Sequence, residues 1–424
     1  MKLNWGMIGG GEGSQIGPAH RLGAQADGNF SLVAGALDAD PYKGRAYAQR
    51  LGVAADRAYG DWREMLEVEA DNLDALNVSI PDHMHAAVAM TAMRLGKHVY
   101  CQKPLAHDLY DVRRLTEYGR HRGVVTQMGI QIHSERFYME AVEVVRSGAI
   151  GKVKAAHLWS DKKWGDAGAP PEGDFAIPED FDWDGWLGMT ADRRFVGDKY
   201  YHPGNWRRRL DFGTGTFGDM GCHIFDPVFD ALGLTAPIAV RSEGPAPDEW
   251  NWANNARIRY TFPPTPYTVD EDIEFVWYDG DQKPPQEVLD LITEAVPEPG
   301  MRPPPKRPEQ GSIIIGTEGV LLLPHFRPLT LFPRAKFRDW ERPDIKSNHH
   351  WHQWVDACLG QGETSTPFDY AGPLTESVLL GCIAVRFPDQ TLEWDAPALQ
   401  FRTKPTANKY LRSQPREGWE VRGL

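Results

Sequence analysis

His98-Val99-Tyr100-Cys101-Gln102-Lys103-Pro104-Leu105-Ala106 opens as a short apolar strand, Val99 to Cys101, and stops at a Lys-Pro step. Proline has no N–H to give a sheet ladder and pushes the residue before it away from helical angles. Lys103 is therefore expected at the C-terminal end of a strand, where open α/β sheets bind their ligands. Strands alternate with helices before this stretch and for one more helix and strand after it, and the rhythm is then lost, so Lys103 is expected where the two regions meet.

Upstream, Leu3 to Ile8 is an apolar strand running into Gly9-Gly10-Gly11-Glu12-Gly13-Ser14, with a helix expected from Ile16 or Pro18 to Ala26. Gly9, Gly11 and Gly13 allow close backbone approach to a pyrophosphate, and the helix start supplies N–H donors. Ser14 stands where the third small residue of G-x-G-x-x-G belongs. A second strand, Phe30 to Leu37, ends in Asp38, placed to bind ribose hydroxyls and to favour NAD over NADP. Capping of the helix opened by Pro41 is the competing role, open to Asp38 and Asp40 alike. Lys43 and Arg45 leave NADP open. Leu73 to Ile80 is a continuous apolar strand ending at Pro81-Asp82-His83-Met84-His85, followed by an alanine-rich helix to Leu95. A helix from about Asp108 to His121 and a strand from Val124 to Met128 complete a Rossmann-type domain over residues 1–128. His83 and His85 are near enough to touch a cofactor, though capping and packing are commoner uses.

Residues 129–424 form the second expected domain. Val153 to Ser160 reads as a strand, and residues 164–215 are loop-rich, with Trp164, Trp183, Trp186 and the run Trp206-Arg207-Arg208-Arg209. Long irregular segments in compact domains are usually functional. The arginines suit a substrate, a subunit interface or a salt-bridged surface. A glycine-rich approach at 213–215 leads into a helix to about Leu232, on which Asp219, His223, Asp226 and Asp230 share one face. Such a stripe lines a cleft or meets solvent. An imidazole beside carboxylates is a candidate general base; one His and two Asp are also a candidate divalent-ion set. Segments 238–242, 256–262, 272–278, 312–316 and 319–323 read as an antiparallel sheet, interrupted by an exposed Pro-rich loop at 297–308. His349-His350-Trp351-His352 opens a helix to Leu359, its histidines spaced for packing rather than for a metal. A helix, Ala371 to Phe387, and a strand, Thr391 to Trp394, close the domain.

At 424 residues two domains are the default. A net charge of −13 argues against nucleic acid or anionic membrane as partners. Cys101, Cys222, Cys358 and Cys382 include no CxxC pair, which speaks against a structural zinc site and for a reducing compartment. With no signal-like or membrane-length apolar run, a cytoplasmic protein is expected, although an exported form trimmed of its leader would look the same.

The glycine turn at 9–14, Asp38, the Pro81-to-His85 turn, Cys101-Gln102-Lys103-Pro104 and Asp219-Met220-Gly221-Cys222-His223-Ile224-Phe225-Asp226 together resemble the glucose–fructose oxidoreductase / inositol dehydrogenase (Gfo/Idh/MocA) family over essentially the whole chain. The resemblance implies an N-terminal Rossmann domain and a C-terminal α/β domain with a large, mainly antiparallel open sheet, through which homodimers or homotetramers form. It implies a nicotinamide cofactor and a sugar, cyclitol or polyol substrate. Lys103, Asp219 and His223 become the catalytic candidates: His223 accepts the hydroxyl proton, Lys103 steadies the developing alkoxide, and Asp219 orients the ring. Gly9, Gly11, Gly13, Ser14, Asp38, Pro81, His85 and Gln102 become the cofactor candidates, and Trp164, Trp206, Arg207 and Asp226 the substrate contacts, with no metal. Gln102 departs from the glutamate usual before the lysine; an amide still reaches the nicotinamide ribose, and the lysine loses a carboxylate that would stabilise its charge. Besides net hydride transfer, two outcomes stay open: a redox-neutral glycosidase or lyase working through a transient keto-sugar, and a non-catalytic cofactor-bound sensor.

Overall fold

A computed structural model describes residues 2–197, 199–294, 306–346 and 348–424. Most of the Pro-rich loop expected at 297–308 lies outside the described residues. The N-terminal elements run β1 (Leu3–Gly9), α1 (Gly17–Gln25), β2 (Phe30–Ala36), α2 (Pro41–Arg50), α3 (Trp62–Val68), β3 (Ala75–Ser79), α4 (His85–Arg94), β4 (His98–Cys101), α5 (Leu109–Arg122) and β5 (Thr126–Met128). The strands form a parallel sheet in the order β2-β1-β3-β4-β5. Strand order reverses between β1 and β3, so their carboxyl ends part and leave a crevice, the usual ligand position in open α/β sheets. Gly10 N–H donates to Ser79 O at 3.1 Å across its base.

The C-terminal elements are α6 (Arg136–Arg146), β6 (Val153–Ser160), α7 (Trp183–Leu187), α8 (Gly215–Leu232), β7 (Ala239–Ser242), β8 (Arg257–Phe262), β9 (Ile273–Asp279), α9 (Gln286–Asp290), β10 (Gln310–Gly316), β11 (Val320–Pro324), β12 (Thr330–Phe332), α10 (His350–Cys358), α11 (Phe368–Ala384), β13 (Thr391–Asp395) and β14 (Gln400–Phe401). Nine strands pair in the order β12-β11-β10-β6-β9-β8-β7-β13-β14, antiparallel except for β6 with β9. Both expected sheets are therefore present. Helix α6 has no counterpart in the sequence reading above.

One face of the large sheet packs on α8, whose apolar residues Phe217, Cys222, Phe225 and Phe229 are buried with Tyr260, Phe275 and Trp277. The other face is covered in part by α9, where Val288 meets Trp159, Val276 and Leu322. The rest of it carries Arg241, Arg257 and Arg259 paired with Glu243, and Arg259 also with Glu274.

Late in the chain, α10 returns to the first sheet. Trp354 is fully buried, edge-on to Phe30 at 5.0 Å and to Tyr100 at 5.3 Å, and burial of such a side chain contributes roughly 3 kcal/mol. The connection that follows α10 stays on the sheet edge, with Met128 N–H donating to Thr366 O at 2.9 Å.

Several histidines are sealed into this framework in neutral form. Burial pushes His20 and His83 down to about 3, and His157 and His325 to about 4. Each unfolds to an ordinary imidazole near 6.5, so below that pH the unfolded chain binds more protons and the native state loses stability. His20 and His83 each forfeit about 2 kcal/mol by pH 5. His107 and His133, raised despite burial by Asp108 and Asp226 respectively, act in the opposite sense but are fewer. The melting temperature is expected to drop between pH 7.5 and 5, as scanning calorimetry would show; a rise would mean the two raised histidines dominate.

Candidate active site and cofactor cradle

The glycine turn follows β1 because its backbone must double back at the carboxyl end of the sheet. Gly9 and Gly10 have φ of 77° and 70°, conformations that glycine adopts without strain. A Cβ on Gly11 would lie 2.6 Å from Leu37 O and 2.9 Å from Asp38 Oδ2, so only a bare backbone fits there. Gly13 is open to solvent with φ of 79°. Ser14 turns its Oγ to accept from Gly17 N–H at 3.1 Å. Close packing of helix on strand falls instead to Gly17, whose Cβ would meet Gly10 O at 2.4 Å. The G-x-G-x-x-G pattern places that small residue at Ser14, whereas Gly17-Pro18 at the helix start is the signal for it in the sequence. Beneath the turn, the buried Arg21 donates to Gly10 O at 2.6 Å and to Tyr47 Oη at 2.7 Å.

The two aspartates after β2 divide their roles. Asp40 caps α2, its Oδ1 accepting from Tyr42 and Lys43 N–H, and it pairs with Lys43 Nζ at 2.6 Å. Asp38 Oδ1 accepts from Asp40 N–H at 3.0 Å, and its Oδ2 lies beside Gly11. An acid at the tip of β2 thus faces a glycine turn leading into α1, which has no acidic residue in its first turn. These features fit a dinucleotide: room for the pyrophosphate, a carboxylate for ribose hydroxyls, and N–H groups at a helix start.

His85 sits lower. Its Nδ1 and Nε2 lie 2.7 Å from Pro104 O and 2.8 Å from Ile80 O, so the fully buried ring, kept neutral by burial, sits between the Lys-Pro step and the end of β3 and donates to one of the two carbonyls. It braces the crevice rather than lining it. Pro81 opens the turn above and is partly exposed. His83 holds Trp186 O at 2.9 Å, anchoring the segment between β6 and α8. That segment folds around its own aromatic cluster of Trp183, Trp186, Tyr201, Trp206 and Phe212. It reaches the nucleotide end, where Asp182 N–H donates to Ala39 O at 2.9 Å.

Gln102 is oriented by a relay that sequence reasoning missed. Trp351 Nε1–H, a group that only donates, bonds His20 Nδ1 at 3.0 Å. The neutral His20 therefore carries its proton on Nε2 and donates to Gln102 Oε1 at 3.1 Å. The amide nitrogen is left as the free end. Gly129 makes room, since a Cβ there would lie 2.0 Å from Gln102 Oε1.

Lys103 leaves β4 and meets α8: its Nζ donates to Asp219 O at 2.7 Å and to Asp219 Oδ1 at 2.8 Å. Thr214 Oγ1, just before α8, donates to Asp82 Oδ2 at 2.8 Å, a second tie between the domains. Arg207 Nε lies 3.4 Å from Asp219 Oδ1 and Lys162 Nζ 3.7 Å from its Oδ2. Burial alone would raise the Asp219 carboxyl, but Lys103, Arg207 and Lys162 outweigh it and hold the group well below the usual carboxylate range. One helical turn on, His223 is pushed well below 6.5 by burial, then by Lys103 and His325. Its Nδ1 is buried and unpartnered, and among the described residues the ring makes no hydrogen bond. His325, 5.9 Å away between ring centroids, is bonded to Tyr138 Oη at 2.8 Å.

The polar stripe on α8 divides at this point. Asp226 is buried, accepting from Tyr370 Oη at 2.7 Å and lying 2.9 Å from His133 Nδ1, while Asp230 pairs with Arg146. Asp226 is thus committed to the core between α8 and α11, away from substrate contact and from a metal set with His223. Arg207 stacks on Trp206 at 4.3 Å and on Trp164 at 5.4 Å. Trp206 itself is buried in the aromatic cluster, and Trp164 keeps an unpartnered buried Nε1. Arg208 and Arg209 are structural, bound to Gly165 O and to Asp166, Asn251 and Tyr200 O. Lys162 and His325 were not anticipated, and nothing local in the sequence marks them.

A parallel sheet with a glycine turn and an acid across its switch point, joined to a large antiparallel sheet, defines a two-domain dinucleotide-binding protein. Residues 3–130 match the model described as oxidoreductase family, NAD-binding Rossmann fold, and residues 149–269 match oxidoreductase family, C-terminal alpha/beta domain. The chain belongs to the Gfo/Idh/MocA family of oxidoreductases.

It is 29% identical over 160 residues to an uncharacterized oxidoreductase of Bacillus subtilis (strain 168), covering 37% of this chain and 41% of that one. It is 28% identical over 158 residues to levoglucosan dehydrogenase of Pseudarthrobacter phenanthrenivorans, covering 36% and 39%. The chain thus spans about two-fifths of the length of these two curated relatives. In fold it is similar to an inositol dehydrogenase homolog of Azotobacter vinelandii crystallised with NADH and myo-inositol, with TM-score 0.61 and 17% identity over 93% of this chain and 98% of that one. Among the described residues no helix is long and apolar enough to cross a membrane.

Proposed function

We propose that this protein is an NAD-dependent dehydrogenase that moves a hydride between the cofactor and a carbinol carbon of a sugar, cyclitol or related polyol. The observation carrying this reading is the Lys103–Asp219 pair beside the unpartnered, neutral His223, at the mouth of a crevice built for a dinucleotide. NAD, when bound, supplies the hydride acceptor. Gly9, Gly11, Gly13, the backbone around Ser14, and Asp38 hold its nucleotide half; Pro81 borders the site; and the free amide nitrogen of Gln102 donates near the reactive end. His223 takes the proton from the substrate hydroxyl, for which a neutral imidazole is required. Lys103 donates to the same oxygen as negative charge develops on it. Asp219 keeps Lys103 aimed, with Oδ2 left for a neighbouring hydroxyl. Levoglucosan dehydrogenase among the relatives supports a carbohydrate substrate.

The test is NADH formation from NAD and a panel of sugars and cyclitols, followed by absorbance, with products identified by mass. Stoichiometric NADH supports the reading; aglycone or water release without net NADH replaces it with the redox-neutral cycle. A panel wholly silent in both respects leaves the sensor role.

Asp38→Ala is expected to weaken NAD binding by roughly 10- to 100-fold, the cost of losing charge-assisted bonds to the ribose, measured by calorimetric titration. An unchanged Kd would leave Asp38 as a turn residue only. A cytoplasmic homo-oligomer belongs to the same reading, its partly charged sheet face being the surface a second copy would meet; sedimentation velocity tests the assembly.

A further inference from the structure

Three cations converge on one carboxylate. Lys103, Lys162 and Arg207 surround Asp219 at 2.8, 3.7 and 3.4 Å. The two nearby imidazoles, His223 and His325, are neutral and add no charge. The count is three positive charges against one negative. Asp82, buried under Lys103 and bonded to Thr214, still leaves a positive balance if it is counted as ionised. The remaining carboxylates of this region are spoken for: Asp211 pairs with Arg193, and Asp166 with Arg209.

The surplus is not idle surface charge. The Lys162 ammonium meets Met220 Sδ, a weak acceptor, at 3.0 Å and reaches Asp219 Oδ2 only at 3.7 Å. Its side chain is 43% exposed and so open to an incoming ligand, while those of Lys103 and Arg207 are only 10% and 26% exposed. Arg207 spends only long contacts on the protein, to Asp219 Oδ1 at 3.4 Å and to Gly204 O at 3.5 Å, while Trp164 and Trp206 fix its plane. Holding several partly desolvated cations together costs free energy unless an anion joins them. Trp164 Nε1–H, buried and unpartnered beside them, is a further donor in want of an acceptor.

We infer that the substrate is an anionic polyol, a sugar carboxylate or a sugar phosphate, whose charged group is held by Lys162 and Arg207 while its reacting hydroxyl meets Lys103 and His223. This rests on the dehydrogenase reading above and narrows it. The geometry also assigns Lys162 a role in substrate choice.

The test is calorimetric titration of the NADH-loaded protein with D-gluconate, D-glucuronate and D-glucose 6-phosphate against D-glucose, D-galactose and myo-inositol, paired with NADH formation from NAD. At least one acidic ligand is expected to bind about tenfold or more tighter than every neutral one, and the acid that does so separates carboxylate from phosphate. Lys162→Met is expected to weaken that acid by about 10- to 100-fold, the range for loss of one charged hydrogen bond, and the neutral ligands by less than about threefold. Neutral ligands binding as well as the acids, no acid binding at all, or an equal effect of Lys162→Met on both classes would each overturn the inference. Neutral sugars giving NADH would sink the anionic class and leave the dehydrogenase standing. Tight acids without hydride transfer or isotope exchange at carbon would do the reverse.

Discussion

Lys103→Met is expected to lower kcat/KM by about 10²- to 10³-fold, the usual cost of removing a donor aimed at developing oxyanion charge. Affinity for NAD should change by less than about threefold. The reason lies in where Lys103 is tied: its Nζ reaches Asp219 on α8 and not the glycine turn, so its loss touches the substrate end of the crevice. The fold should tolerate the change, because Asp219 keeps Arg207 and Lys162 beside it and α8 stays packed on the large sheet. Stopped-flow rates with calorimetry of NAD binding separate the two effects. Equal losses in NAD affinity and rate would make Lys103 a cofactor residue.

His223→Gln is the second large effect, about 10²- to 10⁴-fold in kcat, the span for loss of a general base. Its pH signature is more diagnostic than its size. Burial and the fields of Lys103 and His325 hold the imidazole well below 6.5. A base works deprotonated, so in the parent enzyme kcat/KM should stay flat from neutrality down through 6.5 and fall only at lower pH. In the glutamine variant that acidic limb should vanish along with the rate. A variant retaining full rate, or a parent limb centred near 6.5, would move the proton to another group. If Lys103→Met alone abolishes turnover, the lysine amine is that group.

Much of this site was legible in the chain itself. Lys103 at a strand end follows from a proline that cannot extend the ladder, and the 215–232 helix from its apolar period. Asp38 was legible as a candidate, but its freedom from capping was not; that depended on Asp40 taking the N-cap. Asp226 shows the limit of face-sharing arguments. It has the same helical phase as Asp219, yet His133 and Tyr370, distant in sequence, draw it into the core. His85 likewise reads as a cofactor contact in the sequence, but its ring is fully buried between the carbonyls of Ile80 and Pro104.

The sequence by itself determined the alternating strands and helices of the first domain, the glycine turn, and the placing of a lysine at the carboxyl end of β4. These are short-range consequences of side-chain period and of proline and glycine backbone limits, complete within a few residues. Tertiary structure alone decided how many cations meet Asp219 and which end of the Gln102 amide is free. It also decided that α10 closes the first sheet from 222 residues beyond the end of β5. Electrostatic balance and buried hydrogen-bond relays are sums over groups brought together by folding, and in a low-dielectric interior those sums set both the direction of the His223 shift and the positive balance around Asp219.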